Sequence, residues 1–259
     1  MTKILNQAEF TDFKIVVYSP SVQPVQRRLG HEIHYLNSNL LDRWDAFKIF
    51  PDSWICFLDA DCQIDDSLIL EVRHQIQNQC KSVVLCGRYK TDSSESNLSR
   101  AYNILCNTWL EAGLLAQEPR LLGGFFILFS SSKLRSIEFE KIAKWGAEDY
   151  RMARQLGKNE FNFKLSEPLF TSHKPKNEMF WFIRRAWLHG GNRPDDVRTN
   201  TKYWIKMLLG QNPFLSAYIL LHFGTVFAGR IYIKMTNRSF QLKSLSGFLT
   251  KERSGNQSI

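Results

Sequence analysis

The sequence is poor in the residues that mark unfolded or fibrous chains. Only 8 prolines and 14 glycines occur among 259 residues, while hydrophobic residues make up 44%. This composition excludes collagen-like, low-complexity and linker-like chains, and it favours a folded protein with a substantial core. A chain of this length accommodates one large domain or two small ones.

Cysteine-pair motifs are also missing. The cysteines are odd in number, none belongs to a Cys-x-x-Cys pair, and all lie in the N-terminal half: Cys56, Cys62, Cys80, Cys86 and Cys106. We therefore expect reduced, mostly buried thiols, which suit a cytosolic compartment. Residues 1–12 carry charges and lack an apolar run, so we expect no secretory signal peptide there.

Acidic residues become scarce in the second part of the chain. Residues 1–150 hold 16 basic and 19 acidic residues, whereas residues 151–259 hold 18 basic and 6 acidic ones. The net charge of +9 therefore comes wholly from the C-terminal part. A basic surface attracts nucleic acid, anionic lipid or phosphate-bearing ligands. Because no recognised nucleic-acid motif accompanies the charge, we expect no nucleic acid among the partners.

Apolar runs alternate with helical patterns along the first 160 or so residues. The runs predict buried strands at 13–18, 31–36, 54–58, 82–86 and 125–129. The helical patterns predict helices over 40–50, 65–79, 97–115 and 146–157. Strands that alternate with helices indicate an α/β fold, with a mostly parallel sheet flanked by helices.

The end of the chain differs in character. Residues 214–229 contain no Asp, Glu, Lys or Arg, and basic residues flank them on both sides. A spanning helix needs about 20 apolar residues, so a full span is disfavoured. An in-plane membrane helix or docking hairpin is as well supported as a buried core helix. We assign residues 1–200 to the main domain and residues 201–259 to a basic, apolar helical extension.

Two carboxylates follow the apolar run at 54–58. Asp59 and Asp61 are separated only by Ala60. In extended backbone both side chains point roughly the same way, and they can share a hard divalent cation. The alternative is that a loop aspartate caps the following helix. Paired acids at the end of a buried strand favour the metal interpretation.

Four segments together resemble the inverting family 2 glycosyltransferases of the GT-A fold. They are FLDADC at 57–62, RLLGGFFILF at 120–129, GAEDYRMARQLG at 146–157 and the SH…RRAWLHGG region at 172–191. Their order and spacing match the family, and they cover roughly residues 50–195. The resemblance implies a GT-A-like (Rossmann-like) domain that moves a sugar, as a hexosyltransferase does, from a nucleoside-diphosphate-sugar to an acceptor hydroxyl with inversion.

The resemblance also implies a metal and donor site. Asp59 and Asp61 match the family's Asp-x-Asp motif, which binds the nucleotide sugar and Mg²⁺ or Mn²⁺. His173 matches a third metal ligand, although a lone histidine is often structural. Gly123 and Gly124 match a small-residue turn beneath the donor sugar, where glycine permits close backbone approach. A plain turn before a strand is the alternative for the two glycines.

The remaining matched residues imply catalysis and substrate contact. Glu148 and Asp149 match the family's Glu-Asp motif, whose aspartate is the usual general base. Acids in a first helical turn also stabilise the helix through its dipole. Arg184, Arg185 and Trp187 match a segment near the diphosphate and the acceptor. The alternative for this segment is a basic amphipathic helix on a membrane surface.

The N-terminal segment departs from the family pattern. The family opens with a strand, a helix and a second strand that ends in an acid reading the nucleotide base. Here either the strand at 13–18 is the first one and an early unit is shortened, or it is the second one and the first unit is missing. Neither alignment supplies the acid, because Tyr18-Ser19 or Asn37-Ser38 occupies its place.

We therefore expect a cytoplasmic, metal-dependent glycosyltransferase that docks peripherally on the inner face of the cell membrane. Its acceptor would be a glycan or lipid-linked sugar in the synthesis of cell-surface polysaccharide or glycolipid. The alternative is a degenerate module that binds a nucleotide sugar or a partner without turnover. Only the net charge favours a third class, a nucleic-acid-binding protein.

Overall fold

The computed structural model describes residues 13–21, 23–38, 40–77, 79–91, 96–115, 123–138, 148–175, 177–192 and 213–236. This part contains the strands β1 (Phe13–Ser19), β2 (Gln26–Arg28), β3 (His31–Asn37), β4 (Trp54–Asp59), β5 (Val83–Tyr89), β6 (Phe125–Phe129) and β7 (Asn162–Thr171). Its α-helices are α1 (Ala46–Ile49), α2 (Asp66–Ile76), α3 (Asn97–Leu115), α4 (Ser132–Ser136), α5 (Glu148–Lys158), α6 (Met179–Asn192) and α7 (Pro213–Thr236).

The strands form one sheet in the order β2-β3-β1-β4-β6-β5-β7. Strand β1 is parallel to β3 and β4, and β5 is parallel to β7, whereas β6 is antiparallel to β4 and β5. The predicted α/β class with a mostly parallel sheet is confirmed, since five of the seven described strands point the same way and β2 and β6 run opposite to them. The direction of β6 could not be predicted, because a fully buried run has the same pattern in either direction.

Strand β1 lies at the centre of the N-terminal part of the sheet. It pairs with both β3 and β4, with Ser19 opposite Asn37 and Tyr18 opposite Asp59. The described residues that connect β1 to β3 contain the short strand β2 and no helix. This order fits both N-terminal alignments, the one with a shortened early unit and the one without the first unit.

Buried side chains cover both faces of the sheet. Because successive strand residues point to opposite faces, β4 contributes Cys56 and Leu58 to one layer and Ile55 and Phe57 to the other. Helix α2 packs on the first layer and helix α5 on the second. A strand covered on both faces needs a continuous apolar run, which is the pattern that predicted β4.

Helix α7 packs against the rest of the molecule along one side. Leu215 and Ile219 are buried with Phe182 of α6 and Leu105 of α3. Gly229 lies so close to α6 that a Cβ there would approach a backbone carbonyl oxygen to 2.8 Å. Because α7 is one continuous helix, the docking-hairpin alternative is wrong. No helix in the described part is long and apolar enough to cross a membrane.

Two further predictions are shifted or lie outside the described residues. The helix predicted over 40–50 is a 3-10 turn at Arg43–Asp45 followed by the single turn α1. The boundary predicted at residue 200 lies outside the described residues, as does most of the 201–259 extension apart from α7.

Candidate metal and donor site

The first part of the site is the turn that follows β4. The backbone N–H of Asp59 donates to the carbonyl of Gly124 at 3.0 Å, and the N–H of Cys62 donates back to the Asp59 carbonyl at 3.0 Å. This turn ends the strand and carries Asp61 at its tip. The alternative role for Asp59 and Asp61, as caps of the following helix, does not apply. Asp65 caps α2 by accepting from the N–H of Leu68 at 2.8 Å.

The second part is the segment that follows β7. Here Lys174 N–H donates to the Asp61 carbonyl at 2.9 Å, and Gln63 N–H donates to the Ser172 carbonyl at 2.7 Å. These two backbone bonds tie the turn after β4 to the chain after β7. They bring His173 beside Asp61, although the two residues belong to distant segments of the sequence.

Asp59, Asp61 and His173 converge at this edge of the sheet. Asp61 Oδ1 lies 3.1 Å from His173 Nε2. One ligand atom from each of the three residues lies within 4.8 Å of the others. The His173 side chain is 3% exposed, whereas that of Asp61 is 39% exposed and opens the group to solvent. Two carboxylates and an imidazole fit a divalent cation.

The electrostatics keep Asp61 ionised. Burial, the largest single influence, raises the pKa of its carboxyl group, but the hydrogen bond and charge of His173 act against burial. The positive charge of Arg185 acts in the same direction as His173. The net result is a pKa below the usual value, so Asp61 is a carboxylate at neutral pH and can bind a cation.

The glycine pair makes room for the acid pair. A Cβ on Gly124 would lie 1.9 Å from Asp59 Oδ2 and 2.4 Å from the Tyr89 hydroxyl. The N–H of Gly124 donates to that hydroxyl at 2.9 Å. Gly123 has a φ of +66°, a conformation that side chains disfavour. Glycine is therefore favoured at both positions, for space at Gly124 and for backbone conformation at Gly123.

Comparison with known families agrees with this geometry. Residues 43–142 match the family described as Glycosyl transferase family 2. This part of the chain, 100 of the 259 residues, is similar to that family. The matched segment holds Asp59, Asp61 and both glycines, and the sheet with its flanking helices fits a GT-A-like fold. The match supports a glycosyl transfer function, with a nucleotide-sugar donor and an acceptor. No curated protein matches the chain.

Arg43 is a residue of this family 2 site that the sequence did not reveal. Its Nη2 donates to Asp59 Oδ1 in an ion pair, and its side chain is only 9% exposed. Its guanidinium lies 4.6 Å from the centre of the Tyr18 ring. The only local signal was a basic residue within an apolar helical segment, which is too common to indicate a partner.

The inner side of His173 was missed as well. Its ring stacks on Tyr89 with the ring centres 4.1 Å apart. Its Nδ1 lies 2.6 Å from Asn103 Oδ1. Both partners occupy elements that the sequence predicted, β5 and α3, but a contact between distant segments leaves no local pattern.

The predicted basic and aromatic residues of α6 have different surroundings. Arg185 Nε donates to the Tyr102 hydroxyl at 3.4 Å, and its charge acts on Asp61. Trp187 packs instead against α7, with its ring 5.7 Å from that of Tyr232. Arg184 is partly buried on the same helix. The substrate roles of these three α6 residues stay predictions.

The predicted catalytic acids belong to α5. The described part of this helix runs from Glu148 to Lys158. Residues 146–147, with which the helix was predicted to begin, lie outside the described residues. The side chains of both acids also lie outside the described part, and their catalytic roles stay predictions.

Proposed function

We propose that the protein transfers a sugar from a nucleoside-diphosphate-sugar to an acceptor hydroxyl with inversion, in a reaction that requires a divalent cation. The observation that carries this proposal is the convergence of Asp59, Asp61 and His173 within a family 2 glycosyltransferase. A bound Mg²⁺ or Mn²⁺ would neutralise the nucleoside diphosphate as it leaves. The imidazole favours Mn²⁺, because Mg²⁺ prefers oxygen ligands.

Each residue of the cluster has a distinct part in the proposal. Asp61 and His173 hold the cation through Oδ1 and Nε2, which face each other at 3.1 Å. Asp59 shares its charge with the guanidinium of Arg43, and it therefore serves to orient the donor as much as to bind the cation. Gly123 and Gly124 let the donor approach the backbone beside Asp59.

Positive charge for the diphosphate comes from α6. The positive charge of Arg185 is one of the influences that lower the pKa of Asp61, so its guanidinium acts on the cluster electrostatically. Guanidinium groups bind phosphate oxygens through paired, charge-assisted hydrogen bonds. We assign Arg185 to the donor diphosphate, with Arg184 and Trp187 towards the acceptor.

Asp149 is the general base of the proposed reaction. Transfer with inversion needs one carboxylate that takes the proton of the acceptor hydroxyl as its oxygen attacks the anomeric carbon. The sequence predicts a helix that begins at residue 146, and the positive end of a helix dipole keeps an acid in a first turn ionised. Glu148, its neighbour, assists in the same turn.

The acceptor side of the proposal involves a membrane surface. The exposed positions described on α7 form one apolar face: Pro213, Ala217, Leu220, Leu221, Gly224, Phe227, Ala228, Ile231 and Tyr232. A helix that is apolar on all sides is normally buried in protein or in a membrane, so the exposed apolar side of α7 indicates a further contact surface. Helix α7 contains no acidic residue, and Arg230 and Lys234 lie near its end. We therefore assign this face to an anionic lipid surface that presents a lipid-linked or glycan acceptor.

Transfer assays with point variants test the catalytic proposal. The purified protein is incubated with a panel of nucleotide sugars, Mn²⁺ and lipid-linked acceptors. Asp149→Asn should lower turnover by about 10²- to 10⁴-fold while donor binding persists. Asp61→Ala should remove activity and metal dependence together. Asp52→Asn is the matched control, since Asp52 precedes β4 at the opposite edge and pairs with Arg135. Unchanged turnover in Asp149→Asn would sink the assignment of the base.

A binding module without turnover is the second candidate. The observation that favours it is the ion pair of Arg43 with Asp59, which engages one oxygen of the Asp-x-Asp motif. The strands β1 and β3 also end without an acid, at Ser19 and Asn37. This candidate predicts donor binding by calorimetry without hydrolysis or transfer. Donor turnover by the wild-type protein would eliminate it.

A further inference from the structure

Helix α3 carries a completely buried polar side chain beside the proposed metal site. Asn103 is 0% exposed, and its neighbours Tyr102 and Leu105 belong to an apolar cluster. A buried amide in such surroundings is costly unless its polar atoms are hydrogen-bonded. The partners that Asn103 finds decide what it does.

The bonding pattern fixes which way the amide points. Asn103 Nδ2 donates to the carbonyl of Lys90 at 3.0 Å and to the carbonyl of His173 at 3.1 Å. Both partners are acceptors only, so the nitrogen of the amide must face them. The amide oxygen is then the atom that lies 2.6 Å from His173 Nδ1.

This orientation determines the tautomer of His173. An amide oxygen has no proton to give, so the short contact requires that Nδ1 donates. In the neutral ring the lone pair then belongs to Nε2, the atom that faces Asp61 Oδ1 at 3.1 Å. Two lone-pair atoms that face each other are satisfied by a proton or by a metal cation between them, so a bound metal takes the place of the proton that otherwise joins Nε2 to Asp61. The stacked ring of Tyr89 holds the imidazole in its plane.

We propose that Asn103 is a positioning residue, which fixes His173 in the tautomer protonated at Nδ1 and so presents Nε2 as a metal ligand. The proposal rests on the metal site proposed above and extends it to a residue outside the acid pair. Hydrogen-bond partners of ligating histidines fix the tautomer and ring orientation, and their loss typically costs about 10- to 100-fold in metal affinity.

The same helix provides a matched control. Asn107 lies one turn after Asn103 and also bonds to the backbone at the end of β5. It accepts from the N–H of Tyr89 at 2.9 Å and donates to the Tyr89 carbonyl at 2.8 Å. No contact to His173 is recorded among its described bonds. Asn107→Leu therefore removes a comparable amide from the same helix without touching the imidazole.

The test reads the tautomer and the metal affinity separately. Long-range ¹H–¹⁵N correlation spectra of the metal-free protein are recorded at mildly alkaline pH, where imidazoles are neutral. His173→Ala assigns the signal. We expect the Nδ1–H form in the wild-type protein and in Asn103→Asp, whose carboxylate still accepts from Nδ1. Asn103→Leu should give a mixture of tautomers and bind Mn²⁺ about 10- to 100-fold more weakly by calorimetry. Asn107→Leu should leave both readouts unchanged.

The outcomes separate the two proposals. An Nε2–H signal in the wild-type protein overturns the role of Asn103 without any variant. The role is also overturned if Asn103→Leu keeps tautomer and affinity, or if Asn107→Leu loses as much affinity as Asn103→Leu. Failure of the metal site would look different. The wild-type protein would then bind no Mn²⁺, or His173→Ala would bind it equally well, while the tautomer readout still decides the role of Asn103.

Discussion

The absence of a side chain at Gly124 leaves room for the Asp59 carboxylate at the end of β4. Asp59 Oδ2 and the Tyr89 hydroxyl both lie where a side chain at position 124 would begin. The backbone N–H of Gly124 bonds to the same hydroxyl, and its carbonyl accepts from Asp59. Because Gly124 has no Cβ, the Asp59 carboxylate and the Tyr89 hydroxyl can both lie next to its backbone.

Gly124→Ala should disturb the acid pair directly. A Cβ 1.9 Å from Asp59 Oδ2 must displace the carboxylate or the backbone. Overpacking of this kind costs about 1–3 kcal/mol in stability. We expect a lower melting temperature and, by calorimetry, weaker Mn²⁺ binding.

Gly123→Ala is the comparison for that variant. A Cβ there meets no atom within 4 Å, but the φ of +66° is strained for alanine. It should cost roughly 1–2 kcal/mol in stability while Mn²⁺ binding persists. If Gly124→Ala binds Mn²⁺ as tightly as the wild-type protein, the close approach to Asp59 has no part in metal binding.

Site residues could be predicted where a local sequence pattern marks them. Asp59 and Asp61 directly follow an apolar run, and the glycine pair directly precedes one. Arg43 and Asn103 could not be predicted, because their partners Asp59 and His173 come from distant segments. Their roles depend on which side chains the sheet and α3 bring together. A single sequence carries no direct information about such contacts between distant segments.

At the scale of elements, ion pairs link β1, β2 and β3 at the β2 edge of the sheet. Glu32 on β3 accepts from Lys14 of β1 at 3.0 Å and from Arg27 of β2 at 3.0 Å. These hydrogen bonds, with Lys14 foremost, lower the pKa of Glu32 to about 2. The three strands are joined here without an intervening helix in the described residues, so side-chain bonds contribute to their alignment.

Glu32→Gln should change how stability depends on pH. Since the folded pKa of Glu32 is lowered from 4.5 to about 2, its stabilisation is fully present above the unfolded value and is lost as the pH falls through the folded value. We expect the wild-type advantage over Glu32→Gln to be constant near neutrality and to shrink below pH 4.5. Urea unfolding at several pH values measures it.

Glu160→Gln is the control for this pH dependence. Its side chain is 90% exposed and lies 3.8 Å from Lys133, so an exposed pair of little energetic weight is removed. An equal pH-dependent difference for both variants, or none for Glu32→Gln, would contradict the role of these ion pairs at the β2 edge.

The elements were more predictable than their connections. Strand β6 has the predicted bounds and helix α3 begins at the predicted residue, Asn97, because their patterns are fully apolar or long. Strand β2 was not predicted, since its three residues are exposed and carry no apolar signal. The antiparallel direction of β6 was also missed, because direction depends on chain connection and not on local pattern.

At the scale of the whole molecule, charge and apolar surface are divided unevenly. The chain after residue 150 has 18 basic and 6 acidic residues, and it includes the apolar outer face of α7. The metal-binding acids of the proposed site belong to the other part. A membrane with negatively charged headgroups would attract the basic chain after residue 150. Asp59 and Asp61 would then remain accessible to the metal and the donor.

Sedimentation with lipid vesicles tests this arrangement. The protein should bind vesicles that contain anionic lipid more strongly than neutral ones, and added salt should weaken the binding. The double variant Leu220→Asp/Phe227→Asp should abolish binding, because both side chains lie on the exposed face of α7. Leu70→Asp is the control, since Leu70 is equally exposed but lies on α2. Equal binding by the double variant would contradict the membrane assignment.

The central claim is that Asp59, Asp61 and His173 hold a divalent cation for a nucleotide-sugar donor. Crystals grown with Mn²⁺ and a nucleoside diphosphate, measured at the manganese absorption edge, test it most directly. The account predicts an anomalous peak within bonding distance of Asp61 Oδ1 and His173 Nε2, with the diphosphate on its open side. A diphosphate bound without such a peak, or a peak away from these residues, would contradict it.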